Sequence, residues 1–260
     1  MKLVTAFFMA WGNFLKIPCP VKKWDSKLNK MMLAFLPSIG ALVGIILALA
    51  VALMVMVAPW IPSVSIRALV VFLVPMICCG FIHLDGFMDV NDAVLSRRDL
   101  AERQRILKDS ATGAFAVITL VILMIAFFVG VVSLIEAGPK LPIGAVLLIP
   151  IISRTWSGFD VLVKKKIGVS QYAANEKATG KEKAVFLIQW LIYVGASIAI
   201  CHSLWYVAVL VGAIEHLALL ACGAFARKQL GGMNGDIAGY EIVMAECVGV
   251  FALGVIMNFV

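Results

Sequence analysis

The chain has 260 residues, 63% of them hydrophobic and 14% charged, whereas an ordinary soluble domain is about 45–50% apolar and about 25% charged. With 22 Lys and Arg and 15 Asp and Glu it has too few charges to cover a water-soluble body of this length, so a soluble enzyme and a disordered tail are both excluded. The net charge of +7 would argue for nucleic acid only if the basic residues formed one solvated patch; their distribution over loops decides the partner.

Residues 1–15 carry one Lys before an apolar run, a superficial likeness to a secretion signal. No A-x-A-like site follows, and the next stretch, Lys16-Ile-Pro-Cys-Pro-Val-Lys-Lys, is basic and holds prolines. The segment therefore reads as a cytoplasmic leader with a short interfacial helix. Cys19, Cys78, Cys79, Cys201, Cys222 and Cys247 form no CxxC pair, and with three His they spell out neither a zinc cluster nor a disulfide framework.

A bilayer-crossing helix needs ~20 mostly apolar residues. Seven stretches qualify, near 31–57, 66–82, 113–135, 141–163, 184–201, 204–222 and 239–259. The second is short and holds Pro75, and with the sixth it is the weakest signal. Residues 1–30 carry six Lys and Arg, 83–112 five, 164–183 six and 223–238 two, against Arg67 and Lys140 on the other side and Arg154 inside a span. Nineteen against two is what the positive-inside rule produces with a cytoplasmic amino terminus and three long cytoplasmic connections. The expectation is an all-α, polytopic bundle of the cytoplasmic (inner) membrane, one domain over 1–260. No internal repeat, low-complexity stretch or linker divides it. The basic surplus follows from topology and points to the anionic phospholipid bilayer, not to nucleic acid. A homo-oligomer stays open.

After the second span comes His83-Leu-Asp-Gly-Phe-Met-Asp-Val-Asn-Asp92. On a helix at 100° per residue, Asp85, Asp89 and Asp92 at i, i+4 and i+7 point within about 60° of one another. Like charges so placed repel by a few tenths of a kcal/mol per pair, more at a low-dielectric edge. A hard divalent cation offsets this best; Mg²⁺ takes carboxylate oxygens, keeps waters and bridges to phosphates. The plainer alternative pairs these acids with Arg97, Arg98, Arg103 and Arg105 on a solvated helix continuing through Ser96 and Asp99. His83 points about 160° from the Asp85 direction and is not expected to be a fourth ligand.

A second cluster, Gly231-Gly-Met-Asn-Gly-Asp236-Ile-Ala-Gly, opens the last span. Its glycines, Gly231, Gly232 and Gly235 among them, permit close backbone approach, and free N–H groups at a helix start bind phosphate oxygens. Asp236 is a further carboxylate, or only the cap of that helix. Lys108-Asp109-Ser-Ala-Thr-Gly113 is either a helix cap or a phosphate cradle with a Lys beside it. Inside the spans, Arg154, Asp160, Glu215, His216, Glu241 and Glu246 are costly groups that usually face a polar cavity. Glu215-His216 is a proton relay or a structural pair. Arg154 and Asp160, near the cytoplasmic end of the fourth span, are expected within reach of the carboxylates, Arg154 as an anion clamp.

Taken together, His-Leu-Asp-Gly-x-x-Asp-x-x-Asp (83–92), Lys-Asp-Ser-x-x-Gly-Ala (108–114), Arg154 in the fourth span and Gly-Gly-x-x-Gly-Asp (231–236) resemble the cobalamin synthase family, the adenosylcobinamide-GDP ribazoletransferases. Motif order and the seven-span profile extend the resemblance over nearly the whole chain. One departure is Ala93, where the family pattern has Gly; a helical residue there stiffens the turn. The resemblance implies Mg²⁺-dependent attack of α-ribazole, or its 5′-phosphate, on adenosylcobinamide-GDP, releasing GMP and giving adenosylcobalamin or its 5′-phosphate. It implies Asp85, Asp89 and Asp92 as metal ligands and Asp236 as a further ligand or general base. Phosphates would be held by Lys108, Asp109, Arg154, Gly231, Gly232 and Gly235, with the corrinoid at the interface. Two rivals are another membrane phospho- or prenyltransferase with an Asp-rich Mg²⁺ site, and a cation-coupled transporter using intramembrane Glu residues. The first lacks its Ala-Arg and paired-Asp spacing here, and the second its internal repeat.

Overall fold

The computed structural model describes residues 2–167 and 179–260. The interior of the expected 164–183 connection lies outside the described residues. The order is α1 (Lys2–Phe14), α2 (Asn29–Leu33), α3 (Leu36–Met56), α4 (Val64–Cys79), α5 (Ile82–Leu95), α6 (Leu100–Ile106), α7 (Ala114–Ala137), α8 (Ile143–Val163), α9 (Gly180–Ile200), α10 (Trp205–Leu230) and α11 (Gly235–Met257). The all-α expectation holds: among the described residues the β contribution is one isolated bridge, Lys166 with Met233.

Helices α3 and α7 to α11 are each long and apolar enough to cross a membrane. At 16 residues, α4 is about 24 Å long, short of the ~30 Å hydrocarbon core, and it meets α5 at a 90° bend. It nonetheless runs from one end of the bundle to the other. The start of α3 (Leu36), the residue after the α4 turn (Ile82), the approach to α7 (Lys108), the exit of α8 (Ile167) and the approach to α11 (Asn234) line one cavity. Only alternating crossings, α4 included, bring those ends together.

The bend is made by Gly80, the C-cap of α4, whose φ is +66°. The Lys16 side chain lies where a Cβ would be, its Cε 2.8 Å from that position, and the Lys16 N–H donates to the Cys78 carbonyl at 2.7 Å. A side chain would be strained there twice over, by the backbone and by the lysine.

Within the bundle α8 is central, with 78% of its spanning window buried, whereas α9 buries 11% and faces outward. Since lipid tails are as apolar as Leu, small residues that let helices approach closely drive packing inside a bilayer. Gly40 and Gly44 of α3 lie directly on the Pro150 and Leu147 carbonyls of α8. The crossing of α5 over α11 uses the same device. A Cβ on Gly86 would come 2.7 Å from the Asp236 carbonyl oxygen and one on Gly239 would come 3.0 Å from the His83 carbonyl oxygen. Phe87 and Tyr240 stack beside it at 5.8 Å.

Two of the expected connections are mostly helical: 83–112 holds α5 and α6, and 223–238 is taken up by the ends of α10 and α11. The sixth span runs on to Leu230, so most of the expected 223–238 connection is helix and the turn shrinks to 231–234. Its last turn carries Arg227 and Lys228, which oppose the helix dipole favourably, and it is gripped from outside: Gln104 of α6 donates to the Leu230 carbonyl at 2.8 Å and Arg103 bonds the Gln229 side chain.

Gly86→Val should therefore destabilise the protein by about 1–3 kcal/mol through overpacking, read as a lower thermal unfolding temperature in detergent. An unchanged temperature would mean the α5–α11 contact is not tight.

Candidate active site

The crossing of α5 on α11 places the acid stripe beside the start of α11. Asp89 shows the result. Burial, and then the neighbouring charges of Asp85, Asp236 and Asp92, push its carboxyl up to about 6. Four carboxylates thus share one field, and among the described residues no ion pair reaches any of them. Pairing with nearby arginines does not occur: Arg105 engages Glu102 at 2.7 Å and Asp109 at 3.7 Å, and Arg103 turns to Gln229. Nor does the stripe continue through Ser96 and Asp99. The helix ends at Leu95, Arg97 takes φ +55°, and Asp99 caps α6 by accepting from the Glu102 N–H at 3.0 Å.

The carboxylates are not equivalent. Asp85 and Asp236 line a cavity of about 290 Å³ with His83, Lys108, Arg154, Asn234 and Gly235 on its polar side and Phe14, Leu33 and Leu36 among its apolar residues. Asp92 lies against Gly113, the N-cap of α7, which has no Cβ to hold it off. Among the described residues no three His, Cys, Asp or Glu side chains stand close enough to close on a single ion. The expected trio is one electrostatic cluster, not a ready-made cage.

The glycine-rich turn is pinned and capped. Met233 donates to the Lys165 carbonyl at 2.7 Å and accepts from the Ile167 N–H at 3.0 Å. Gly231 adopts φ +82° to end α10, and Gly232 packs on the Lys165 and Lys166 backbone. The helix cap is Asn234, not Asp236: its Oδ1 accepts from the Ile237 N–H at 3.0 Å and its Nδ2 donates to Asp236 Oδ2 at 2.6 Å. That leaves Asp236 aimed from a fixed first turn, where the N–H groups of Gly235 and Asp236 have no intrahelical acceptor.

Other expected residues fall differently. Asp109 closes a local turn by accepting from the Ala111 N–H at 3.0 Å and does not line the cavity. His83 does line it, although it points away from the Asp85 stripe. Arg154 sits midway along α8, fully buried, and its guanidinium is committed to Glu246, with Ser153 Oγ donating to the same carboxylate at 2.7 Å and Cys79 Sγ at 3.4 Å from Nη2. It forms part of the cavity floor but is not a free clamp. Asp160 is held by Arg227 at 2.5 Å, and the same guanidinium grips Glu241. Glu215 and His216 are not a relay pair: both Glu215 oxygens are buried without a hydrogen-bond partner against Gly249, while the His216 ring packs on Trp156 at 4.6 Å.

Sequence reasoning missed Asn234, Arg227 and the contact role of Gly86. Asn234 carried a readable signal, an Asn immediately before a helix start. Arg227 did not, because its partners lie on two other helices.

The model of the family described as cobalamin-5-phosphate synthase matches residues 6–254. An adenosylcobinamide-GDP ribazoletransferase of Clostridium perfringens (strain SM101 / Type A) is 38% identical over 96% of this chain and 98% of its own length. Proteins of that description from Clostridium botulinum (strain Alaska E43 / Type E3) and Lachnoclostridium phytofermentans are 35% and 28% identical, each over at least 96% of both chains. No solved structure matches.

Removing one member of a buried ion cluster leaves an uncompensated charge, at about 3–5 kcal/mol. Arg227→Met should cost on that scale, and adding Asp160→Asn to it should recover part of the loss in detergent unfolding. If the two losses simply add, the ion pair is not coupled.

Proposed function

This chain belongs to the cobalamin-5-phosphate synthase family, and on that footing we propose that the carboxylate cavity is where α-ribazole, or its 5′-phosphate, displaces GMP from adenosylcobinamide-GDP. The observation that carries the assignment is the juxtaposition, in the lining of one cavity, of Asp85, Asp236, the capped start of α11 and Lys108. That is a cation-seeking cluster beside groups suited to phosphate.

Mg²⁺ fits the donor set. Hard carboxylate oxygens without a protein cation are its usual ligands, and it is commonly held by one or two carboxylates with waters and substrate phosphates completing the octahedron. An open cluster suits it better than it would suit a caged structural ion. Asp85 and Asp89, one helical turn apart, would hold it, with Asp92 in reserve at the α7 start. When bound, the ion neutralises charge on the transferring phosphoryl group and on departing GMP.

The residues of the chain do the rest. Lys108 and the Gly235 and Asp236 N–H groups hold phosphate oxygens. The ribazole hydroxyl oxygen bonds to the cobinamide-side phosphorus, the P–O bond to GMP breaks, and GMP leaves with the electron pair. Asp236, steadied by Asn234, accepts the hydroxyl proton. The cavity is near the lower bound of about 300 Å³ for ligand pockets, so the corrinoid macrocycle stays outside it at the membrane rim. The nineteen-to-two distribution of Lys and Arg over the connections in sequence supports a cytoplasmic-facing site in the inner membrane.

The test is GMP release from adenosylcobinamide-GDP and α-ribazole phosphate by purified protein with Mg²⁺. No GMP from folded protein overturns the assignment. Asp89→Asn should cut turnover by about 10²-fold or more, the scale of losing one transition-state charge contact, with membrane insertion retained; Glu215→Gln should leave turnover in place. Because Asp89 is protonated below about 6, a cation binding there must displace its proton. Mg²⁺ affinity should then fall about tenfold per pH unit below that value and be flat above it, and the dependence should vanish in Asp89→Asn. An affinity independent of pH in the unaltered protein would remove Asp89 from the ligand set.

A further inference from the structure

A second cavity lies outside the site just described. It has about 490 Å³ and is formed between α1 and the segment that follows it, lined by Lys16, Lys22, Lys23, Trp24, Phe8 and Asn13 among others. Its character is one-sided: three lysines and no acid among the lining residues, the rest apolar or neutral. Among the described residues, Lys22 and Lys23 are exposed and make no ion pair, and the Nδ2 of Asn13 is buried without an acceptor.

Its height in the membrane is fixed by two contacts. The Lys16 N–H donates to the Cys78 carbonyl at the last turn of α4, and the Lys16 stem packs on Gly80. The groove therefore stands where α4 leaves the hydrocarbon, on the same side as Asp85. There, Trp24 (57% exposed) presents apolar surface beside the lysines in the same groove. Aromatic and apolar groups sharing one groove with ammonium groups match the two parts of a lipid molecule, an acyl chain and an anionic phosphate.

We propose that this groove is a binding site for one anionic phospholipid, its headgroup phosphate on Lys16, Lys22 and Lys23 and its upper acyl chain along Phe8 and Trp24. It is separate from the carboxylate cavity, with which it shares no lining residue. Its occupancy does not depend on the transferase reading.

The protein is reconstituted in phosphatidylcholine nanodiscs containing a minor fraction of lipid brominated near the top of the chain. Trp24 emission is taken as the difference between the unaltered protein and Trp24→Phe. Brominated phosphatidylglycerol should quench Trp24 more than the same fraction of brominated phosphatidylcholine. Each interfacial lysine strengthens attraction to anionic lipid roughly fivefold, so Lys22→Gln with Lys23→Gln should lower that preference by roughly 10- to 30-fold. Native mass spectrometry of the intact protein supplies a second reading, as retained phosphatidylglycerol that the double variant loses. Equal quenching by both lipids, a preference untouched by the double variant, or displacement of the lipid by millimolar inorganic phosphate alone would each overturn the proposal, the last by making the groove a soluble-anion site.

Discussion

The contact of Gly86 with the backbone at Asp236 is the constraint on which the rest depends. Two helices, one following a sharp turn and one beginning a span, approach at one end of the bundle until main chain touches main chain. Nothing larger than hydrogen fits between them. This brings acids about 150 residues apart in sequence into one field, and burial together with that field holds the Asp89 proton to about 6. Repulsion of that kind is tolerated where it serves binding, and here the tight crossing and the Phe87–Tyr240 stack oppose it.

The buried cations have a different task. Arg227 joins Asp160 of α8 to Glu241 of α11, and Arg154 of α8 reaches Glu246 of α11. In a low-dielectric interior such pairs contribute little net stability relative to apolar packing, yet breaking one is expensive. Their effect is on geometry. They fix α11 against α8 along two turns, so the 231–234 turn and Asp236 are held at one height relative to the cavity. The polar interior of this bundle is scaffolding for the rim.

Hydropathy made the spans legible because crossing a bilayer is a property of each segment by itself, and the Asp85–Asp92 stripe was legible because helical spacing is local. What local reading could not supply were features made by distant neighbours. The bend at Gly80 depends on Lys16, and the continuation of α10 to Leu230 depends on Asp160, Glu241 and α6. Two charges in a row, Arg227 and Lys228, look like a loop until the partners of Arg227 are known. Helical spacing aligns Asp92 with Asp85 and Asp89 but cannot show Gly113, the distant neighbour its carboxylate rests against.

The alternating crossings that gather the ends around the cavity are odd in number when α4 is included. The last turn of α11 at Met257 consequently emerges on the face remote from the acid cluster. A phosphatase or fluorescent reporter joined after that turn would declare the sidedness of the whole molecule from a position where it cannot obstruct the nucleotide chemistry.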